Sequence, residues 1–496
     1  MGNNKVFLTF IIGIVMLLLT IPFILADPDI DISSSRDANT DEGLNSCQIR
    51  NAVNHGDLTL YKSDNFVKTP LFGGILFVPL KVFGTSLLIG RLTVFLLSLA
   101  ICLYIVVSNS YYTFFGGLSL IIVFCQYYVF HYFHYCLSEM LSTVLIFLSI
   151  FFQVESYISK TYLKPALLSA TCLSIVYFLK IQFIYSIFIL PFSILIFMSL
   201  KSSDKKLLIK QLLYTSLFLL IYLAIYFVVW YLPNKDFYDY VMANQTTDRF
   251  VSIQNLSNHL HFILNNIFYS TYLKLYTISF YIAFLSGLIY LFFTKSIRYK
   301  FLFIGLSCWI LVELHKLSMT YLPSRYLVSL YFAMGLLISL VLFEFISTKT
   351  KKPLVFITKV ISVLLLITIG IKNSIDYSSS LKRRTFIISE INSYLGKYNF
   401  QNKPVIGAWA PSLSWESKAI SFPVWKDYFN DKDVINTDNP AVIIAETDEE
   451  DSNQAFSSQG VDVDTYADSI KYFTINKWKL KLIWIDQSKL NPINQK

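Results

Sequence analysis

The sequence predicts a polytopic α-helical membrane protein with about eleven transmembrane helices and a small water-facing α/β domain at its C-terminal end. Three observations predict it. The 496-residue chain is 55% hydrophobic and only 15% charged, where a soluble domain carries about 25% charge. Its apolar residues gather into runs of roughly 18–22, the length that crosses about 30 Å of hydrocarbon as helix. A soluble core accounts for one such run, not for a series of them. Basic residues recur in alternate loops, as they do in a chain threaded back and forth through a bilayer.

The runs place spans at about 5–26, 86–107, 111–130, 139–155, 165–182, 183–200, 210–232, 274–294, 301–317, 326–346 and 354–372. The first carries a cleavage-like Leu25-Ala26. It is too long for an ordinary signal-peptide core and more spans follow, so it reads as an uncleaved anchor. The loop cations are Lys160 and Lys164; Lys201, Lys205, Lys206 and Lys210; Lys295, Arg298 and Lys300; and Lys349, Lys351 and Lys352. With Lys5 they all fall on one side, which the positive-inside rule assigns to the cytoplasm. The segments 27–85 and 233–273 and the tail from 373 then lie outside. Residues 1–372 form the transmembrane domain and residues 373–496 an extracytoplasmic α/β domain.

Net charge is +9, but residues 373–496 hold 14 Lys/Arg against 16 Asp/Glu, so the excess belongs to the membrane part. Topology explains it, and no nucleic-acid partner is implied. Of the six cysteines, only Cys47 and Cys136 fall outside the apolar runs; there is neither a disulfide framework nor zinc spacing. In the tail, 381–398 is helix-like. Pro404–Ala408, Ala441–Ala445 and the alternating Lys477–Ile485 are strand-like, and the acidic run Glu446–Asp451 reads as a solvated loop.

The residues with chemical potential stand at the outer edge of the spans. The first external loop carries Arg36-Asp37-Ala38-Asn39-Thr40-Asp41-Glu42-Gly43 and then Val67-Lys68-Thr69-Pro70-Leu71. One loop thus holds carboxylates and an ammonium beside the membrane. Residues 72–85, apolar but broken by Gly73-Gly74 and Pro79, read as a helix lying in the interface. The next external turn has His131, His134, Ser138 and Glu139. An acid at the mouth of a span needs a partner. The histidine pair lacks a third ligand, so no metal site is assigned. Lys180 breaks the fifth span from the sixth, and Arg325-Tyr326 open the tenth. Cations at this depth suit an anionic head group; taken singly, each also serves as a helix anchor.

The order Asp-Glu-Gly, Lys-Thr-Pro-Leu, then Phe83-Gly84-Thr85-Ser86 and Gly90-Arg91-Leu92 resembles the membrane glycosyltransferases of the C-type fold (GT-C). The resemblance is to the branch of the protein O-mannosyltransferases and the aminoarabinose transferase of lipid A. Ser138-Glu139-Met140, Lys180, Trp230-Tyr231 and Arg325-Tyr326 extend it, in order, through residues 1–346. The chain departs from that pattern at Thr69 (proline there), at His131 and His134 (near an arginine), at Glu139 (usually Asp) and at Leu141 (proline).

The resemblance implies transfer of a hexosyl or pentosyl unit from a polyprenyl-phosphate carrier to a glycan, lipid or protein acceptor at the outer face, with inversion. It implies Asp41, Glu42 and Glu139 as catalytic carboxylates, with Asp41 the general base. Lys68, Lys180, Arg325 and Tyr326 become the donor-phosphate site; His134 and Arg249 are further candidates. The scheme needs no cofactor and leaves a divalent metal open. A bacterial inner membrane is the expected location. Two other readings remain: a transporter or flippase, which calls for inverted repeats and ionisable groups at the midplane, and a surface-polysaccharide polymerase or ligase, with its key residues in 233–273.

Overall fold

The computed structural model describes residues 2–32, 36–56, 58, 65–200, 205–245, 257, 260–261, 272–319, 322–347, 353–400, 403–426, 430, 435, 439–448 and 451–490. Among them, eight helices are long and apolar enough to cross a membrane: Asn4–Phe23, Leu87–Ser108, Ser138–Ser159, Ile181–Leu200, Lys205–Tyr240, Lys274–Phe293, Ser324–Ser347 and Phe356–Leu395. The bent pair Tyr111–Phe124 and Tyr127–Phe133 makes a ninth. Helices Leu163–Leu179 and Ile297–Glu313, 17 residues each, take the places of the two remaining predicted spans.

In chain order the helices around the site are α1 (Gly2–Thr20), α2 (Asp37–His55), α3 (Asn65–Lys68), α4 (Pro70–Phe83), α5 (Leu87–Ser108), α6 (Ser110–Ser119), α7 (Tyr127–Phe133), α8 (Ser138–Ser159) and α9 (Leu163–Leu179). The segment expected as one straight span over 111–130 is bent by 98°. A π-helical turn over Leu120–Phe124 ends the first leg. Gln126 then swings to extended backbone and its side chain accepts from the Val129 N–H at 3.0 Å, which starts α7 afresh. Polar side chains that satisfy the first amides of a helix set its start in this way.

Helix Val328–Ser347 is the hub. Its span is 89% buried inside the protein, so it faces other helices rather than lipid. The last span continues as one helix from Pro353 to Arg383 and leads into the C-terminal unit.

That unit is a five-stranded sheet in the order β2-β1-β3-β5-β4, with β1 (Val405–Ile406), β2 (Ser421–Phe422), β3 (Val442–Glu446), β4 (Ala467–Ile475) and β5 (Trp478–Ile485). β1 runs parallel to β2 and β3; β5 runs antiparallel to β3 and β4. Strand alternation sends residues to opposite faces. Ile406, Phe422, Ile443, Ala445, Ile483 and Ile485 pack in a core of their own. Val405, Val442, Ile444, Leu480 and Leu482 face the other way, into the same buried cluster as the membrane helices. The sheet therefore shares its inner face with the membrane part. β2 and β4 were not expected from the sequence: β2 has only two residues, and β4 is a largely exposed edge strand without a clean apolar alternation.

Candidate active site

Four ionised side chains from four separate segments meet at one end of the bundle. Asp41 sits in the second turn of α2, Glu139 in the first turn of α8. Lys180 caps the C-terminal end of α9 in extended backbone, where the chain turns into a 3₁₀ segment over Ile181–Phe188. Arg325 lies in a 3₁₀ turn over Ser324–Leu327, set up by Pro323 in polyproline-like backbone. Asp41 pairs with Arg325 through Oδ2 and Nη1. The Arg325 Nε lies 3.5 Å from Glu139 Oε1, and Lys180 Nζ donates to that same oxygen at 2.5 Å. The charges alternate along the chain Asp41, Arg325, Glu139, Lys180. The Tyr326 ring lies 5.0 Å from the Arg325 guanidinium and 5.2 Å from the Lys180 ammonium. Cation–π contacts of this kind contribute roughly 0.5–2 kcal/mol each.

The expected residues differ in what surrounds them. Glu139 is 1% exposed in its side chain, whereas Asp41, Arg325 and Lys180 keep 15%, 11% and 10%, so Asp41 is the more open of the two acids. Glu42 points away from it. Its two oxygens accept from Arg91 Nε at 2.9 Å and Nη2 at 2.6 Å, and the Cys136 N–H donates to Oε1 at 2.6 Å. Arg91 also donates to the carbonyls of Ile24 and Ala26 at 3.0 and 2.7 Å. This pair ties α2 to α5 and to the turn before α8.

Lys68 ends α3 and is half-buried. Its neighbour Val67 is clamped: the Val67 carbonyl accepts from Trp230 Nε1 at 2.8 Å and from the Tyr238 hydroxyl at 2.7 Å. His134 is buried beside Tyr135, with ring centroids 4.7 Å apart. Burial, with the Arg91 guanidinium next in weight, holds its pKa well below 6.5 and keeps it neutral. His131 and His134 are 6.4 Å apart between rings, and His131 Nε2 bonds with Ser380 Oγ at 3.2 Å. Among the described residues no three His, Cys, Asp or Glu side chains gather as a metal site. Arg249 lies outside the described residues.

A second buried pair, not expected from the sequence, adjoins the first chain. Lys316 Nζ lies 2.6 Å from Glu313 Oε2 and donates to the Tyr326 carbonyl at 2.7 Å. Glu313 Oε1 also accepts from the Tyr185 hydroxyl at 2.6 Å and from Ser329 Oγ at 2.8 Å. Both residues lie within the segment read as a span over 301–317. Two charges in such a run were the available signal, since they are costly without a reason. Lys316 holds the turn that carries Arg325 and Tyr326.

No family model and no curated protein sequence matches the chain. The fold does match solved structures. ArnT from Cupriavidus metallidurans bound to undecaprenyl phosphate superposes with a TM-score of 0.60 at 12% identity, over 99% of this chain and 100% of that one. The archaeal oligosaccharyltransferase AglB from Archaeoglobus fulgidus, in complex with an inhibitory peptide and a dolichol-phosphate, gives 0.51 at 9% identity, over 98% of this chain and 75% of that one. The Archaeoglobus fulgidus oligosaccharyltransferase in complex with Zn and sulfate gives 0.53 at 10%, over 97% and 74%. This chain therefore has the fold of the GT-C membrane glycosyltransferases and is an integral membrane protein of that architecture.

Proposed function

We propose that this protein transfers a sugar from a polyprenyl phosphate to an acceptor hydroxyl or amine at the outer face of the membrane it spans, with inversion and with Asp41 as general base. The observation that carries the reading is the chain Asp41–Arg325–Glu139–Lys180 at the mouth of the spans, on a fold shared with proteins solved with undecaprenyl phosphate and dolichol-phosphate.

In the reaction the acceptor atom attacks the anomeric carbon. The bond from that carbon to the phosphate oxygen breaks, and its electron pair leaves with the lipid phosphate. The acceptor proton passes to the Asp41 carboxylate, the more exposed acid of the chain. A phosphate leaving group needs no strong acid. It needs fixed positive charge where negative charge develops, and Arg325, Lys180 and Lys68 supply it. Glu139 orients the two cations it touches. Glu42, saturated by Arg91, positions α2 rather than touching substrate. The apolar helix α4, with Val78, Val82 and Phe83 exposed, offers a surface for the lipid chain. His134 takes no step, and none is routed through a metal. The site faces the outside of a bacterial inner membrane, with the N-terminus in the cytoplasm.

The test is a titration of the protein in nanodiscs with undecaprenyl phosphate, followed by thermal stability and by sugar transfer. Wild type should show saturable stabilisation. Lys180→Ala and Lys68→Ala should lose it. Asp41→Asn should keep it and lose transfer. A wild type that undecaprenyl phosphate does not stabilise, or a fully active Asp41→Asn, overturns the reading.

A further inference from the structure

The C-terminal domain holds the segment that carries Asp41. Ser412 Oγ donates to the Thr40 carbonyl at 2.8 Å, one residue before Asp41. Two residues after it, a Cβ built on Gly43 would overlap the backbone of Pro411 and Ser412; only glycine lets the two chains touch there. About two turns further along α2, the buried Arg50 guanidinium donates to the Pro411 carbonyl and lies 4.4 Å from the centre of the Trp415 ring. Trp415 is fully buried, and its ring fills the space that a side chain on Gly90 of α5 would occupy, beside Cys136. The domain thus drives one indole between α2 and α5.

The contact is also registered at the sheet. β2 is an edge strand whose outer N–H and C=O at Ser421 need partners. Asn51 of α2 supplies both, accepting from the Ser421 N–H at 3.1 Å and donating to its carbonyl at 2.9 Å. At the other end of α2, Arg36 Nη1 meets Glu446 Oε1 at 2.8 Å. The wedge itself is fixed within the domain: Asn392 accepts from the Trp415 N–H at 2.5 Å and donates to the Ser412 carbonyl at 2.9 Å.

We propose that the C-terminal domain sets the position of the Asp41 carboxylate through Trp415 and the Pro411-Ser412 turn, which makes Trp415 a positioning residue for the base. The proposal rests on Asp41 being that base. The donor cations Lys68, Lys180 and Arg325 stand on α3, at the C-terminal end of α9 and on the turn before helix Val328–Ser347; Arg325 pairs with Asp41, but its backbone belongs to that turn and not to the wedge. Loosening the wedge should therefore move the base and leave the phosphate site. Misplacement by about 1 Å costs up to roughly a hundredfold in rate.

The experiment compares full-length wild type, Trp415→Ala and Trp415→Phe in nanodiscs by three readouts. These are amide hydrogen exchange of residues 38–52, stabilisation by undecaprenyl phosphate, and the kcat and donor KM of transfer. In Trp415→Ala, exchange across 38–52 should rise by at least about tenfold while α8 and helix Val328–Ser347 stay protected. The lipid-phosphate stabilisation and KM should stay within about twofold while kcat falls at least about tenfold. Trp415→Phe, which keeps a ring in the gap, should recover both. If Trp415→Ala does not fold, Asn51→Ala must show the same split at smaller size. Unchanged exchange over 38–52, or kcat and KM moving together, overturns the proposal. A wild type that binds no undecaprenyl phosphate overturns the proposed function instead, and the exchange readout still decides whether the domain holds α2.

Discussion

Asp41 and Glu42 are neighbours in opposite surroundings. Asp41 keeps some contact with water and one cationic partner; Glu42 is 2% exposed and has both oxygens committed to a fully buried arginine. Breaking a buried pair from one side is worse than never having had it, because the remaining charge is left in low dielectric. Arg91→Met should therefore destabilise the protein by roughly 3–5 kcal/mol, read as a lowered thermal midpoint in detergent. Pairing it with Glu42→Gln should restore part of the loss, as removing both charges leaves none stranded. Equal loss in the single and double variants would sink the ion-pair account. This scale also shows what sequence can carry. Glu139, Lys180 and Arg325 stood out because an ion at the edge of an apolar run demands a partner; the structure gives each of them one. That Glu42 faces Arg91 and Asp41 faces Arg325 could not be read, since adjacent helix positions point about 100° apart and nothing local fixes which one faces the site.

Elements were legible in proportion to how far hydrophobicity alone decides them. Every predicted span falls on helical backbone, in two bent legs over 111–133, because in hydrocarbon a backbone must satisfy its own hydrogen bonds. What hydropathy cannot encode is direction. The 98° bend over 111–133 depends on a π turn and on the Gln126 side chain, and its residues are as apolar as those of a straight helix. Packing between helices is likewise set by size at single positions. Gly335, on the central helix Val328–Ser347, lies against the Tyr276 hydroxyl and Val123, and that hydroxyl donates to the Tyr331 carbonyl at 2.7 Å. A methyl group at Gly335 must push the ring off this bond. Gly335→Ala should cost about 1–3 kcal/mol, the usual penalty of overpacking, with a lowered thermal midpoint. Gly335→Ala with Tyr276→Phe should do better than Gly335→Ala alone, because the displaced hydroxyl is gone. No loss in Gly335→Ala would show that the two helices slide freely past each other.

At the scale of the molecule the two ends of the bundle carry different chemistry, and one helix measures the separation. α8 runs for 22 residues from Ser138, with Glu139 of the site in its first turn, to Ser159, where Lys160 caps it; this is about 33 Å of helix. Its far end sits in a second polar group: Glu155 accepts from Arg298 Nε at 3.1 Å and from the Tyr112 hydroxyl at 3.0 Å. Lys160 and Arg298 both belong to the basic loops that the positive-inside rule places in the cytoplasm. If those loops are cytoplasmic, the Glu139 end and the sheet that packs on α2 lie on the opposite side of the bilayer. Single added cysteines test this in intact cells. All native cysteines are buried except Cys125, which is half-buried, so background labelling by a membrane-impermeant maleimide should be low. Ser469→Cys on the exposed edge strand β4 should label at once. Ser159→Cys, exposed at the end of α8, should label only after the membrane is permeabilised. The reverse order would put the candidate site in the cytoplasm, where Asp41 would meet cytoplasmic acceptors and the lipid-linked donor would have to be used on the inner leaflet.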